Sequence, residues 1–330
     1  MDTQSVSFET AIEQVDQLRR LSPQNHVSVL ACAPSAAERD SLTACVRDQG
    51  RMVMVCAEVQ ADIPEAIIMA LRTAPRVLAV AGVPALVSDT LGALVALQQE
   101  HLSLPAIALL NTDRVSAAAQ CLGMHGTLEN QLAALARVAA RDDATAIAVQ
   151  TPLLRLSQGP QTIRQGLVFA SGAYAKGLGA GYEALGQSSA LMKLHLLSGA
   201  SKANDGQPGP NDLARIAPDR GGSVSTYLFG ALISVLPLSL LSHQKASMDR
   251  PIRYMAVEKS RKARMAALRA MGGQTDRATT YYGVHSGSAG ALSVRLPGPF
   301  TLDGLELALE ASVNITPTAP LPLLDLARVE

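Results

Sequence analysis

Tyr281, Tyr282 and His285 cluster in one short segment of the chain, and an imidazole beside two phenols can exchange protons near neutral pH. No nucleophile signature or second ligand motif accompanies them. The cluster is therefore read as packing or as the lining of a ligand site, with acid–base chemistry as the alternative. Lys259, Arg261, Lys262, Arg264 and Arg269 alternate with Met265, Ala266, Leu268 and Met271. On a helix this gives one basic side, able to rest on anionic lipid headgroups. A solvated face is the plainer reading of so short a run. The four cysteines, Cys32, Cys45, Cys56 and Cys121, form no C-x-x-C pair, and His26, His101, His125, His195 and His243 are scattered. No metal site is expected, and the thiols are read as reduced and buried.

The elements that must position these groups follow from the apolar pattern. Phe8, Ile12, Val15, Leu18 and Leu21 recur at helical spacing, which predicts an amphipathic leader helix over residues 1–22. From residue 23 to 142, short apolar runs (27–32, 52–57, 77–81, 106–110) alternate with Ala/Leu-rich helical stretches. Strands alternating with helices predict a doubly wound α/β domain with a parallel sheet. Asp142 and Asp143 mark a hinge. From 143 to 330 the strand-like runs 146–156, 166–170, 252–257, 292–296 and 321–326 lie between Gly/Pro turns, which predicts a mainly antiparallel, β-rich second domain. Residues 201–222, rich in Gly, Pro, Asn and Asp, are expected to be a surface loop.

The chain has 330 residues, enough for two domains with separate cores. Its 28 basic residues balance 28 acidic ones, so no global field draws it to nucleic acid. No signal peptide is expected at the acidic and polar N-terminus. The apolar run 224–241 carries Ser225, Thr226, Tyr227, Ser234, Pro237 and Ser239, so it is read as a buried strand plus loop and not as a membrane span.

The segment RQGLVFASGAYAKGL (164–178) resembles, without gaps, the part of bacterial diacylglycerol kinases in which a strand reading R-Y-G-x-F-F-G feeds a small-residue turn and helix. GVHSGSAGALSVRLPGPFTLDG (283–304) is similar to the family's closing pattern, a strand followed by G-P-F-x-L-D-G. The resemblance covers nearly everything beyond the leader. It implies an α/β nucleotide domain, a β-rich lipid domain and a site in the cleft between them. Phe169, Ser171, Gly172 and Tyr174, together with Tyr281, Tyr282 and His285, would then line the ligand cleft.

The family's phosphate loops are altered here. N-P-x-S-G corresponds to Ala33-Pro34-Ser35-Ala36-Ala37, which keeps the proline but not the asparagine or the glycine. G-G-D-G-T corresponds to Ala81-Gly82-Val83-Pro84-Ala85, so the family's Asp becomes Val83 and a glycine becomes Pro84, which has no N–H. P-G-G-T-x-N corresponds to Asn111-Thr112-Asp113-Arg114-Val115-Ser116, which sets the carboxylate of Asp113 where a phosphate would lie. The D-G-E continuation, source of the catalytic base, becomes Asp303-Gly304-Leu305 with Glu306 one place late. Asp303 and Glu306 are the catalytic candidates that the resemblance implies.

The expectation is a cytoplasmic pseudokinase that uses no cofactor. It would bind a lipid or other amphipathic small molecule, with peripheral contact at the inner face of the membrane and a protein partner or second copy as further expectations. Two alternatives stand beside it. One is an active lipid kinase using ATP and magnesium through a rebuilt phosphate site. The other is a non-kinase enzyme that reuses the interdomain cleft.

Overall fold

The structure, a computed structural model, describes residues 24–32, 34–49, 52–100, 102–112, 117–141, 147–176, 213–236, 247–271, 282–296, 298–309 and 312–326. The leader helix lies outside them. The described residues divide into two compact units, one holding residues 24–112, 122–151 and 319–326, the other 117–121 and 152–318.

The first unit is built on a six-stranded sheet. Strands β1 (Gln24–Cys32), β2 (Met52–Ala57), β3 (Pro75–Gly82) and β4 (Ala106–Leu109) run parallel in the spatial order β2-β1-β3-β4. β1 is central, and every residue from Val27 to Cys32 is buried. Apart from the buried Ser28, whose hydroxyl meets the Thr73 hydroxyl at 2.7 Å, this run has the apolar character of a strand covered on both faces. Helices α1 (Ala36–Gln49), α2 (Ile63–Arg72), α3 (Pro84–Gln99) and α5 (Leu128–Ala139) follow the strands, while the short α4 (Ala117–Cys121) between them groups with the second unit. α2 buries Ile63, Ala66, Ile67, Ala70 and Leu71, a stripe at the 3.6-residue period. α5 starts at Thr127, whose hydroxyl accepts the Asn130 N–H.

Two edges of this unit differ from the sequence expectation. The run 146–156 is two strands, β5 (Ala148–Thr151) and β6 (Leu154–Gln158), separated at Pro152, which has no N–H to give a ladder. β5 ends the first sheet; β6 belongs to the other unit. The strand expected near the C-terminus, β17 (Leu321–Leu324), also joins the first sheet, parallel to β4 and antiparallel to β5. All four of its residues are buried, a pattern that suits a helix-covered parallel sheet. The first unit thus runs to Thr151 and regains the chain after 318, where the sequence placed a single boundary at 142.

The second unit is one connected antiparallel sheet of eleven strands. β6, β7 (Gln161–Gly166), β8 (Val168–Gly172), β9 (Leu213–Pro218), β10 (Val224–Ser234), β11 (Ile252–Glu258), β12 (Val284–Ala289), β13 (Leu292–Arg295), β14 (Phe300–Leu302), β15 (Leu305–Leu307) and β16 (Val313–Pro317) compose it. β10 serves two neighbourhoods. Val224–Tyr227 pairs with β9 and alternates between half-buried and exposed, whereas Leu228–Ser234 lies between β8 and β11 and is wholly buried. β9 falls inside the stretch expected to be a loop. Its buried Ala214 and Ile216 alternate with exposed Leu213 and Arg215, a strand period hidden by the Gly/Pro-rich residues around it. Helix α6 (Arg261–Met271) buries Ala263, Ala266 and Ala267 and exposes Arg261, Lys262 and Met265. Among the described residues no helix is long and apolar enough to cross a membrane.

Candidate functional site

In an open parallel sheet, ligands lie beyond the carboxyl ends of the strands, where the chain turns to opposite sides of a central strand. Here that place is the end of β1, flanked by β2 and β3. Gly82 ends β3 at φ +121, and a Cβ on it would overlap the Cys32 carbonyl oxygen. The two strand ends therefore touch backbone to backbone. The Val83 N–H donates to that same carbonyl at 3.0 Å. Pro84 opens α3 and brings no donor of its own. Beneath them the Cys32 thiol meets the Thr90 hydroxyl at 3.4 Å, and burial pushes the thiol up to about 11.

The neighbouring turns are closed by carboxylates of the chain itself. Ser35 N–H donates to Glu38 Oε2 at 2.8 Å, and Glu38 N–H donates to Ser35 Oγ at 3.2 Å, which is a reciprocal capping box at the start of α1. After β2, the N–H groups of Glu58 and Val59 both donate to Asp62 Oδ2 at 3.0 Å. Arg39 meets Glu58 at 2.6 Å, an exposed pair. Beyond β4, Asn111 N–H donates to Gln131 Oε1 at 2.9 Å while Gln131 Nε2 donates to the Asn111 carbonyl at 3.2 Å, so the Gln131 side chain acts as a short piece of strand. The Asn111 amide donates in turn to the Met124 carbonyl at 2.6 Å. Thr112 follows, half-buried, and Asp113 lies outside the described residues. Glu38, Asp62 and Gln131 were not singled out from the sequence. Only the Ser35-x-x-Glu38 spacing carried a local signal.

In the second unit Asp303 sits at the turn between β14 and β15 with φ +49, followed by Gly304 at φ +85, the left-handed pair that a tight hairpin needs. Its carboxylate accepts the N–H of Leu167 and of Val168, each at 2.8 Å, and its own N–H donates to the Val168 carbonyl at 2.8 Å. Gly166 makes room, since a Cβ there would stand 2.5 Å from Asp303 Oδ2. Burial pushes the Asp303 carboxyl up to about 6, against the two N–H bonds, which pull it down. Glu306 stands exposed on the edge strand β15.

The residues expected to line a cleft are placed variously. Phe169, buried, stacks on Phe300 at 6.1 Å between ring centres. The buried Ser171 hydroxyl accepts the Ala231 N–H at 3.2 Å. Gly172, at φ +61, lies against the Phe229 carbonyl. Tyr174 is buried edge-on to Phe229, over whose ring the Arg264 guanidinium lies at 5.6 Å, and burial pushes its phenol well above the ordinary value. These four belong to the interior of the unit. His285 is more open, and its Nε2 lies 2.8 Å from Glu258 Oε1. Gly283 at φ +83 leaves space for that carboxylate. Tyr282 is exposed, and Tyr281 lies outside the described residues. Glu258 was missed because only the β11–β12 register brings it to His285.

No family model and no curated protein matches the sequence. Solved structures do match. A provisionally assigned diacylglycerol kinase from Bacillus anthracis str. Sterne superposes with a TM-score of 0.60 at 12% identity, covering 93% of this chain and 98% of that one. A second such structure from the same organism gives 0.61 at 10% identity, covering 93% and 99%. A diacylglycerol kinase structure, again from Bacillus anthracis str. Sterne, gives 0.58 at 10%, covering 93% and 98%. The chain is therefore of the two-domain α/β class, with a parallel-rich first sheet and a large antiparallel second one. Its particular fold is that of the diacylglycerol kinases.

Proposed function

We propose that this chain keeps a diacylglycerol kinase fold without ordinary use of ATP, and that it acts by binding a lipid or other amphipathic ligand. One observation carries the first part. At the loops where the fold would hold phosphates, the N–H groups of Ser35 and Val83 are already taken by Glu38 and the Cys32 carbonyl, and Pro84 has none. A magnesium triphosphate fits this set poorly. It would have to displace a carboxylate that already satisfies a helix start, and Val83 stands where the resemblance puts the family's acid. Each hydrogen bond to a charged group contributes roughly 1.5–3 kcal/mol, so two or three missing donors weaken binding by on the order of 5 kcal/mol. That moves a micromolar site to about millimolar or beyond.

The binding part rests on the second unit, whose large antiparallel sheet lies within the fold shared with the diacylglycerol kinase structures. Calorimetric titration with ATP and magnesium should give no saturable heat in the micromolar range. Incubation with radiolabelled ATP and diacylglycerol micelles should give no labelled phospholipid above the blank. Organic extraction of the purified protein, followed by mass spectrometry, should release a stoichiometric lipid. Tight magnesium-dependent ATP binding would overturn the first part, and a protein that neither carries nor takes up lipid would overturn the second.

A further inference from the structure

The outer face of the second unit's sheet carries a pocket unrelated to the nucleotide loops. It has a volume of about 410 Å³ and lies over β9, β10 and β13, with Arg215, Arg295, Ser225, Ser293 and Ser312 in its lining. Arg215 and Arg295 are direct partners in the antiparallel register of β9 and β13, and Ser225 is the partner of Arg215 on its other side. One row across three strands thus reads Ser-Arg-Arg, about 10 Å long at the usual strand spacing.

Like charges directly opposite each other on a sheet face are destabilising. A solvated face ordinarily relieves this with an acid nearby. Here, among the described residues, no lining residue is acidic and neither guanidinium has an ion pair or side-chain hydrogen bond. Such a pair of guanidinium groups suits a doubly charged anion. Two guanidinium forks meet the geometry of a phosphate, and serine hydroxyls can donate to its remaining oxygens. The volume exceeds what a bare phosphate occupies and falls within the range of small-ligand sites. Beside the arginines, Leu213 and Tyr227 are partners in the same register, both exposed, and give the pocket an apolar flank.

We propose that this pocket binds a phosphomonoester group through Arg215 and Arg295, with the serines completing its shell. The group could be borne by a soluble molecule or by an anionic lipid headgroup whose glyceride portion rests on Leu213 and Tyr227. The site stands whether or not the chain uses ATP, because it shares no residue with the strand ends of the first unit.

The test uses the full chain. Calorimetry with glycerol 3-phosphate, and flotation with phosphatidylcholine vesicles containing phosphatidic acid, separate the two sources. Binding of both assigns the site to the phosphate group alone; binding of the vesicles alone assigns it to the lipid. In either case R215Q and R295Q should each weaken binding at least tenfold, and the doubly substituted R215K/R295K protein should fall between, keeping charge but losing the fork. R220Q, at an exposed arginine outside the pocket, should bind as the unaltered chain does. Without ligand, R215Q should melt no lower than the unaltered protein, since it removes a like-charge contact, so loss of binding will not reflect loss of fold. Binding by neither probe, or equal weakening by R220Q, would overturn the proposal.

Discussion

Asp303 shows how a residue type with catalytic potential can be committed to holding a turn. Its carboxylate fixes the corner between β7 and β8 through two N–H bonds, and burial raises its pKa from the ordinary 3.8 to about 6. The folded state then binds the proton more readily than the unfolded chain does. Between about pH 4 and 6 this contributes stability that is present at the acid end and lost as the pH rises through the folded value, by at most about 1.4 kcal/mol per unit. Asn at this position tolerates positive φ but offers a single acceptor, leaving one N–H of Leu167 or Val168 unmet, which costs about 1–3 kcal/mol. Urea unfolding of D303N should therefore show a lower midpoint than the unaltered chain, with the gap narrowing from pH 4 to pH 6. A gap that widens over this range would mean the carboxyl ionises freely in the fold. From the sequence, Asp303 stood out only through the family resemblance, as a catalytic candidate, while its bonding partners lie 135 and 136 residues away and left no local mark.

The elements of the first unit were legible where burial wrote a period into the sequence, as in α2 and the apolar β1. They were obscured where one strand's company decides its character. β17 and β5 look like members of the β-rich half because they adjoin it in sequence, yet both complete the parallel sheet. The close approach of β1 and β3 gives a sharp test of this unit. Gly82 pairs with Cys32 at the last rung, at a φ that side chains rarely adopt and with no space for a methyl group. Backbone on both sides cannot yield without breaking the ladder. G82A should cost several kcal/mol, among the largest effects of a single methyl group in the protein, or prevent folding. A chemical-denaturation midpoint for G82A within experimental error of the unaltered chain would show that the two strand ends do not meet as described.

At the scale of the whole molecule, ligand linkage offers the most economical discrimination between a kinase and a relative that has lost the nucleotide. A ligand that binds only the folded state stabilises it by RT ln(1 + [L]/Kd). With about 5 mM ATP and magnesium, a site of about 10 μM would add roughly 3.7 kcal/mol, whereas one of about 5 mM adds roughly 0.4 kcal/mol. For a domain of this size class the first corresponds to a rise in melting temperature on the order of 10 °C and the second to about a degree. The chain has no net charge, so a nonspecific polyanion effect on melting should be small. The expected result is a shift of about a degree or less in the unfolding of the first unit, unchanged when magnesium is omitted. The loops explain why. Glu38 and Asp62 already hold the N–H groups of the turns after β1 and β2, so nucleotide phosphates would compete with intramolecular carboxylates at high effective concentration. Removing one of them, as in E38A, should lower stability by about 1 kcal/mol through loss of half the capping box and still leave the ATP-dependent shift near a degree, because Pro84 and the Val83 bond to Cys32 remain.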